Sequence, residues 1–107
     1  MARFDNDVIE QVWAKANVVM GYDPNVWRKD FAGAWIRKDH YGKEWNYGWE
    51  IDHLTPVSRG GSDQLVNLIP MHWKNNRQKS DNYPEFESIM TSQDNSNIEK
   101  QISWRVR

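Results

Sequence analysis

The sequence predicts a single α+β domain over residues 1–107, because short helical patterns alternate with short strand patterns in a chain that allows one modest core. Hydrophobic residues make up 38% of the chain, and its seven tryptophans favour a packed core over disorder. No apolar run approaches the roughly 20 residues of a membrane span. We therefore expect a cytoplasmic protein with no membrane partner. The lack of cysteine excludes disulfides, thiol nucleophiles and Cys-ligated zinc.

Residues 7–16 carry the first helical pattern of the chain. Three apolar side chains share one face at helical spacing, namely Val8, Val12 and Trp13. Asn6 or Asp7 is the expected N-cap, since both side chains can accept a hydrogen bond from a free backbone N–H of the first turn. Glycine, aspartate and proline within residues 21–24 then predict a turn.

Two strand patterns follow, at residues 34–37 and 48–52. They are separated by the polar, aromatic stretch 38–47, which contains a glycine and has the length of a connecting loop. The sequence therefore predicts that these two strands form an antiparallel pair.

The second half of the chain alternates between polar loops and short ordered patterns. Residues 55–63 contain a Gly-Gly pair and predict a surface loop. The apolar run 67–71 includes a proline, which argues against a central strand. Residues 72–80 lack glycine and proline and can form two helical turns. A further helix is predicted from Pro84, and alternating residues predict an extended segment at 102–106.

The charge of the chain is distributed unevenly. The formal net charge is −1, yet residues 53–80 hold four basic side chains against the single acid Asp63, a local net of +3. Such a basic segment suits a phosphate-bearing partner, although a solvated surface has the same composition. The candidate phosphate contacts are Arg59, Lys74, Arg77 and Lys79.

The dipeptide Asp52–His53 at a predicted strand end is the first candidate for chemistry. Successive side chains of a strand point to opposite faces, so the two groups could lie on two sides of a bound group. Histidine titrates nearest neutrality and is the natural general base, while a carboxylate can hold a cation. Two amides follow downstream, Asn67 and Asn76.

The spacing of these residues resembles that of the HNH nucleases, the ββα-metal or His-Me finger group. His53 precedes Asn67 by fourteen residues, and Asn67 precedes Asn76 by nine, as in the family pattern. The Ser-Arg-Gly-Gly-Ser-Asp loop that ends at Asp63 is also similar. The core resemblance covers residues 49–82, and the lead-in 28–36 is similar to that of small bacterial and phage members.

The resemblance implies a ββα-metal core with an N-terminal helix and a C-terminal extension. It implies that His53 is the general base, that Asp52 and Asn76 are metal ligands, and that Asn67 orients the histidine and pins the loop. Carboxylate and amide oxygens suit one Mg²⁺ or Mn²⁺ ion that keeps several waters. The implied function is metal-dependent cleavage of DNA, with or without a second copy or a protein partner.

Several features depart from the family or leave alternatives open. Many members hold a structural zinc between two cysteine pairs, and this chain has no cysteine, so we expect no structural zinc. Tryptophans 35, 49 and 73 are expected to fill the core instead, although such rings can also stack on bases. His72 is a candidate third ligand or a residue that supports the ligands, or it packs against or caps the helix below the site. The alternatives to a nuclease are a catalytically silent nucleic-acid-binding module and a plain interaction domain.

Overall fold

The structure is a computed structural model that describes residues 4–107. Within that range the chain forms two α-helices and six β-strands, and the strands pair as three separate antiparallel hairpins, β1–β2, β3–β4 and β5–β6. In chain order the elements are α1 (Asn6–Trp13), β1 (Trp27–Lys29), β2 (Trp35–Arg37), β3 (Trp49–His53), β4 (Leu68–His72), α2 (Trp73–Lys79), β5 (Glu85–Gln93) and β6 (Ser96–Arg105). The α+β prediction is confirmed. No helix among these residues is long and apolar enough to cross a membrane.

Helix α1 forms where its apolar pattern predicts, but its boundaries differ. The N-cap is Asp5, not Asn6 or Asp7, and its carboxylate accepts a hydrogen bond from Val8 N at 2.9 Å. The helix ends at Trp13, three residues early, because the amides of Lys15 and Ala16 bond three residues back in tighter turns. Val12 and Trp13 are buried.

The core lies between α1 and the strands of two hairpins. Trp13 and Trp49 contact each other with ring centroids 5.4 Å apart. The buried cluster consists of Val12, Trp13, Ala16, Ile36, Trp49, Ile51 and Leu68. Burying each large side chain contributes roughly 1.5–3 kcal/mol, so these few residues supply much of the stability of a small fold. Trp35 and Trp49 are buried as predicted, whereas Trp73 is only half-buried.

The predicted pairing of strands β2 and β3 is wrong. Strand β2 pairs with the three-residue strand β1, and β3 pairs with β4, in which Pro70 lies opposite Ile51. A proline is tolerated there because both strands of a two-stranded sheet are edges. Strand β3 therefore finds its partner downstream, and this pairing leads directly into α2.

The helix predicted from Pro84 is also wrong, because residues 85–93 form strand β5. Phe86, Ser88 and Met90 point inward at every second position, which is a strand period. A turn at Asp94, whose φ is +54°, reverses the chain into β6. The extended segment predicted at 102–106 falls largely within β6, which begins six residues earlier.

Candidate functional site

Helix α2 lies along strand β3, and this packing brings the predicted site residues together. Helix positions three apart lie on one helix face, and strand positions two apart lie on one strand face, so the two series can meet where the elements pack. Three contacts mark this face: Trp73 N donates to Gly48 O at 3.1 Å, Asn76 Nδ2 donates to Glu50 Oε1 at 2.9 Å, and Lys79 Nζ lies 3.2 Å from Asp52 Oδ2. The end of β3 and the last turns of α2 border a cleft of about 430 Å³, which Asp52, His53 and Asn76 all line.

His53 has one ring nitrogen engaged. Its Nε2 lies 2.6 Å from Oδ1 of Asp63, a largely exposed residue of the 55–63 loop. A carboxylate accepts, so Nε2–H is the donor and Nδ1 is left as the acceptor of the neutral ring. Asp63 is a functional candidate that we did not predict, because only its position opposite His53 singles it out.

Asp52 is a buried carboxylate, with only 6% of its surface exposed. Its Oδ2 accepts no well-aligned hydrogen bond from any residue in the range 4–107, although Lys79 Nζ lies nearby. Burial raises the pKa of Asp52 to about 6, against the opposing effect of the Lys79 charge. Lys79 itself is fully buried and donates to His53 O at 3.2 Å. The prediction that Lys79 contacts phosphate is therefore wrong, because its ammonium group is buried and contacts Asp52 and the His53 carbonyl instead.

Asn76 is fixed in the cleft by Glu50, two residues before Asp52 on the same strand face. Because Asn76 Nδ2 donates to Glu50 Oε1, its Oδ1 is left as the atom able to bind a cation. The Glu50 side chain is largely buried and also accepts from Arg77 Nη2 at 2.9 Å. The strand period places Glu50 on the face that carries Asp52, and its contacts make it a residue that positions the site rather than a plain surface glutamate.

Asn67 holds the loop that carries Asp63. Its Oδ1 accepts from Thr55 N at 2.8 Å, while its Nδ2 donates to Thr55 O at 3.0 Å and to Ser62 O at 2.8 Å. These three bonds tie both ends of the 55–63 loop to the base of β4. Within residues 4–107 the Asn67 side chain makes no hydrogen bond to His53, so any effect on the ring passes through the loop.

His72 caps helix α2 and has no nitrogen left for a metal. Its Nδ1 accepts from Lys74 N at 3.1 Å, and its Nε2 donates to Asn46 O at 2.8 Å. The ring is buried, and burial lowers its pKa, which keeps the imidazole neutral. The interpretation of His72 as a metal ligand is wrong, and its interpretation as a helix cap is confirmed.

The three other predicted phosphate contacts differ in how far their side chains are already held by carboxylates. Arg59 is exposed on the 55–63 loop, and the partly exposed Lys74 has only a distant carboxylate, Glu99, at 4.0 Å. Arg77 lines the cleft but is held by Glu50 and Glu44. Contacts of Arg59, Lys74 and Arg77 with phosphate stay predictions.

The donor set of the cleft fits a hard divalent cation. Among residues 4–107 no group of three or more His, Asp or Glu side chains is placed to hold a metal. Mg²⁺ does not require one, since it is commonly held by one or two protein oxygens together with waters and substrate phosphates. Asp52 lines the cleft, is buried, and has an Oδ2 that accepts no well-aligned hydrogen bond within residues 4–107, so it has the character of such a ligand, and Asn76 Oδ1 offers the second oxygen.

Comparison with known proteins places a family match over this same region. A family model described as HNH endonuclease matches residues 31–85, slightly more than half of the chain. The matched segment contains β3, β4, α2 and the four residues Asp52, His53, Asn67 and Asn76. No curated protein and no solved structure matches the chain significantly.

Proposed function

We propose that this chain, which belongs to the HNH endonuclease family, is a metal-dependent endonuclease that hydrolyses DNA phosphodiester bonds. The observation that carries this proposal is the convergence of His53, Asp52 and Asn76 on one open cleft. In this proposal β3, β4 and α2 are the ββα-metal core. A silent binding module would not need a base, a buried carboxylate and a fixed amide to meet in one place.

His53 acts as the general base in this mechanism. Its Nδ1 removes a proton from the attacking water, and the ring then carries a positive charge. Asp63 accepts the Nε2–H bond at 2.6 Å, so its carboxylate holds the ring in the productive tautomer and stabilises that charge. Asn67 contributes indirectly, because it holds the loop on which Asp63 lies.

Asp52 and Asn76 would hold the divalent cation, Mg²⁺ or Mn²⁺. When bound, such an ion supplies stabilisation of negative charge on the scissile phosphate and the departing 3′ oxygen. Glu50 positions the Asn76 amide, and Lys79 keeps the buried Asp52 next to a positive charge. Arg59, Lys74 and Arg77 would contact flanking phosphates.

The test of the proposed activity is nicking of supercoiled plasmid DNA in Mg²⁺ and in EDTA. The wild-type protein should nick only with metal, and His53→Ala should lose roughly 10²–10⁴ in rate or more, because it removes the base. His40→Ala is the matched control, since His40 does not line the cleft. DNA binding without cleavage in either Mg²⁺ or Mn²⁺ would establish the silent module instead.

Calorimetric titration with Mn²⁺ tests the ligands independently of activity. Asp52→Ala and Asn76→Ala should each weaken Mn²⁺ binding. Asp81→Ala is the control and should leave Mn²⁺ binding unchanged, because it removes a cleft carboxylate that is not a proposed ligand. Unchanged Mn²⁺ affinity in both ligand variants, or stoichiometric zinc that survives chelation, would overturn the two-ligand site.

A further inference from the structure

A second cavity, of about 200 Å³, has almost entirely aromatic walls. Trp27 stands nearly perpendicular to Trp35 and to Tyr47, at 84° and 87°, and Tyr22 packs on Trp35 with centroids 4.7 Å apart. The lining is completed by Asn95, from the turn between β5 and β6. Tyr22 is 42% exposed, so the cavity is accessible from solvent. We call these five residues the aromatic pocket; none of them lines the cleft at His53.

The aromatic pocket carries polar groups that the fold leaves unused. Of the six other indole N–H groups, five donate to acceptors within the structure, and the sixth belongs to the largely exposed Trp45. Trp27 Nε1 has no acceptor in the part of the chain that the structure describes, and the hydroxyls of Tyr22 and Tyr47 and the amide of Asn95 likewise make no hydrogen bond there. Flat apolar walls combined with free donors and acceptors suit a ligand that is itself flat and has a polar edge.

The charged groups beside the aromatic pocket are cations, and they favour a ligand that carries negative charge. Lys29 Nζ lies 4.7 Å from the Trp35 ring centre, and Arg37 Cζ lies 5.3 Å from that of Trp27. The five lining residues include no carboxylate. An aromatic enclosure for an ammonium ligand would place that ligand next to two like charges. Stacking surfaces flanked by cations are instead typical of single-stranded nucleic-acid binding.

We propose that the aromatic pocket binds one unpaired base of a nucleic-acid strand, with Lys29 and Arg37 against the flanking phosphates. Arg37 can turn to a phosphate because its present partner, Asp39, is an exposed residue whose ion pair is weak. Tyr47 precedes His53 by six residues, so at most about 20 Å of backbone separates the aromatic pocket from the cleft. That span equals roughly six base steps, and one strand can reach both sites.

Fluorescence anisotropy with a labelled 12-nucleotide oligothymidylate tests the proposal in EDTA, where no metal-dependent cleavage takes place. Tyr22→Ala should weaken binding at least about fivefold, the lower limit for loss of one base–aromatic stack. Tyr22→Phe should keep most of the affinity because it keeps the stacking ring and loses only the hydroxyl. Trp45→Ala is the matched control, since it removes an aromatic side chain that is 53% exposed and outside the aromatic pocket.

Two further probes identify the bound group. An abasic oligomer of equal length should bind the wild type and Tyr22→Ala with the same reduced affinity, because only the base stacks. Thymidine monophosphate should bind far more weakly than the oligomer. Equal affinity of the wild type for abasic and normal strands would overturn the proposal, and so would a mononucleotide that binds as tightly as the oligomer.

The indole N–H resonance of Trp27, assigned by comparison with Trp27→Phe, gives a readout in the wild-type protein that does not depend on the affinity of a pocket variant. Oligothymidylate should shift this resonance in the wild-type protein, and a resonance that stays fixed at saturation would refute base binding. None of these measurements requires catalysis. If the nicking assay fails but the Trp27 resonance shifts, the nuclease proposal fails and the base-binding proposal holds. If the protein nicks DNA but the Trp27 resonance stays fixed, only the base-binding proposal fails.

Discussion

Replacing Asn67 with alanine should release the 55–63 loop without unfolding the hairpin beneath it. The side chain makes three hydrogen bonds, to Thr55 N, Thr55 O and Ser62 O, at 2.8–3.0 Å. Each such bond contributes about 1 kcal/mol net, so their loss costs about 1 kcal/mol if they open singly and about 3 kcal/mol if they open together. The backbone carbonyl of Asn67 keeps its own bond from Leu54 N, at 2.8 Å.

Native-state amide hydrogen exchange measures this difference at neighbouring residues. Thr55 N–H is bonded to the side chain of Asn67 and Leu54 N–H to its backbone, so Leu54 is the internal control. In Asn67→Ala the Thr55 amide should exchange about 5-fold to 150-fold faster, while Leu54 changes little. Nicking should fall as well, because Asp63 lies on the released loop. Equal acceleration at both amides would show that Asn67 supports the whole hairpin, and none at Thr55 would refute the role.

Three shorter predictions follow from the same geometry. Lys79→Met should lower the free energy of unfolding, measured in urea, by about 3 kcal/mol, since it leaves the buried Asp52 unpaired. It should not change the salt dependence of DNA binding, because Lys79 is buried. Arg59→Ala and Lys74→Ala should each lower the slope of log K against log salt by about 0.9 if each contacts one phosphate, and an unchanged slope excludes that contact. Burial lowers the pKa of His72, so the folded protein binds fewer protons there than the unfolded chain, and stability should fall as pH drops below the ordinary value of 6.5. His72→Asn keeps a capping side chain and should remove that part of the pH dependence, which parallel unfolding curves at pH 5 and 7 would measure.

The parts of the fold that were predicted correctly are those with local signals. Helix α1 follows from its apolar spacing, and α2 from an uninterrupted run that begins after its cap, His72. Strand pairing failed because a partner is a non-local property, and β1 has only three residues. The C-terminal hairpin did carry a signal in the alternation of residues 86, 88 and 90, but a buried serine at 88 weakened its hydrophobic pattern.

The candidate site divides in the same way. The intervals of fourteen and nine residues single out Asp52, His53, Asn67 and Asn76, and the structure brings the first two and Asn76 to one cleft. Asp63 has no comparable signal, and neither does the role of Lys79 beside Asp52, because an ordinary surface residue and a positioning residue of the same type look alike in one sequence. Their partners, not their spacing, identify them.

A buried polar network holds the orientation of α2 in a chain that has no cysteines to bind a structural zinc. The Asp30 carboxylate is fully buried and accepts hydrogen bonds from Ala32 N, Ala34 N, His72 N and Asn75 Nδ2, all at 2.9–3.0 Å. Asn75 in turn accepts from Ile89 N and Met90 N of strand β5. The residue before Asn76 is thus fixed by segments from both ends of the chain, while Asn76 itself is fixed by Glu50. Tryptophan packing fills the core, but it is this network that sets the angle of α2, and through it the position of the amide in the cleft.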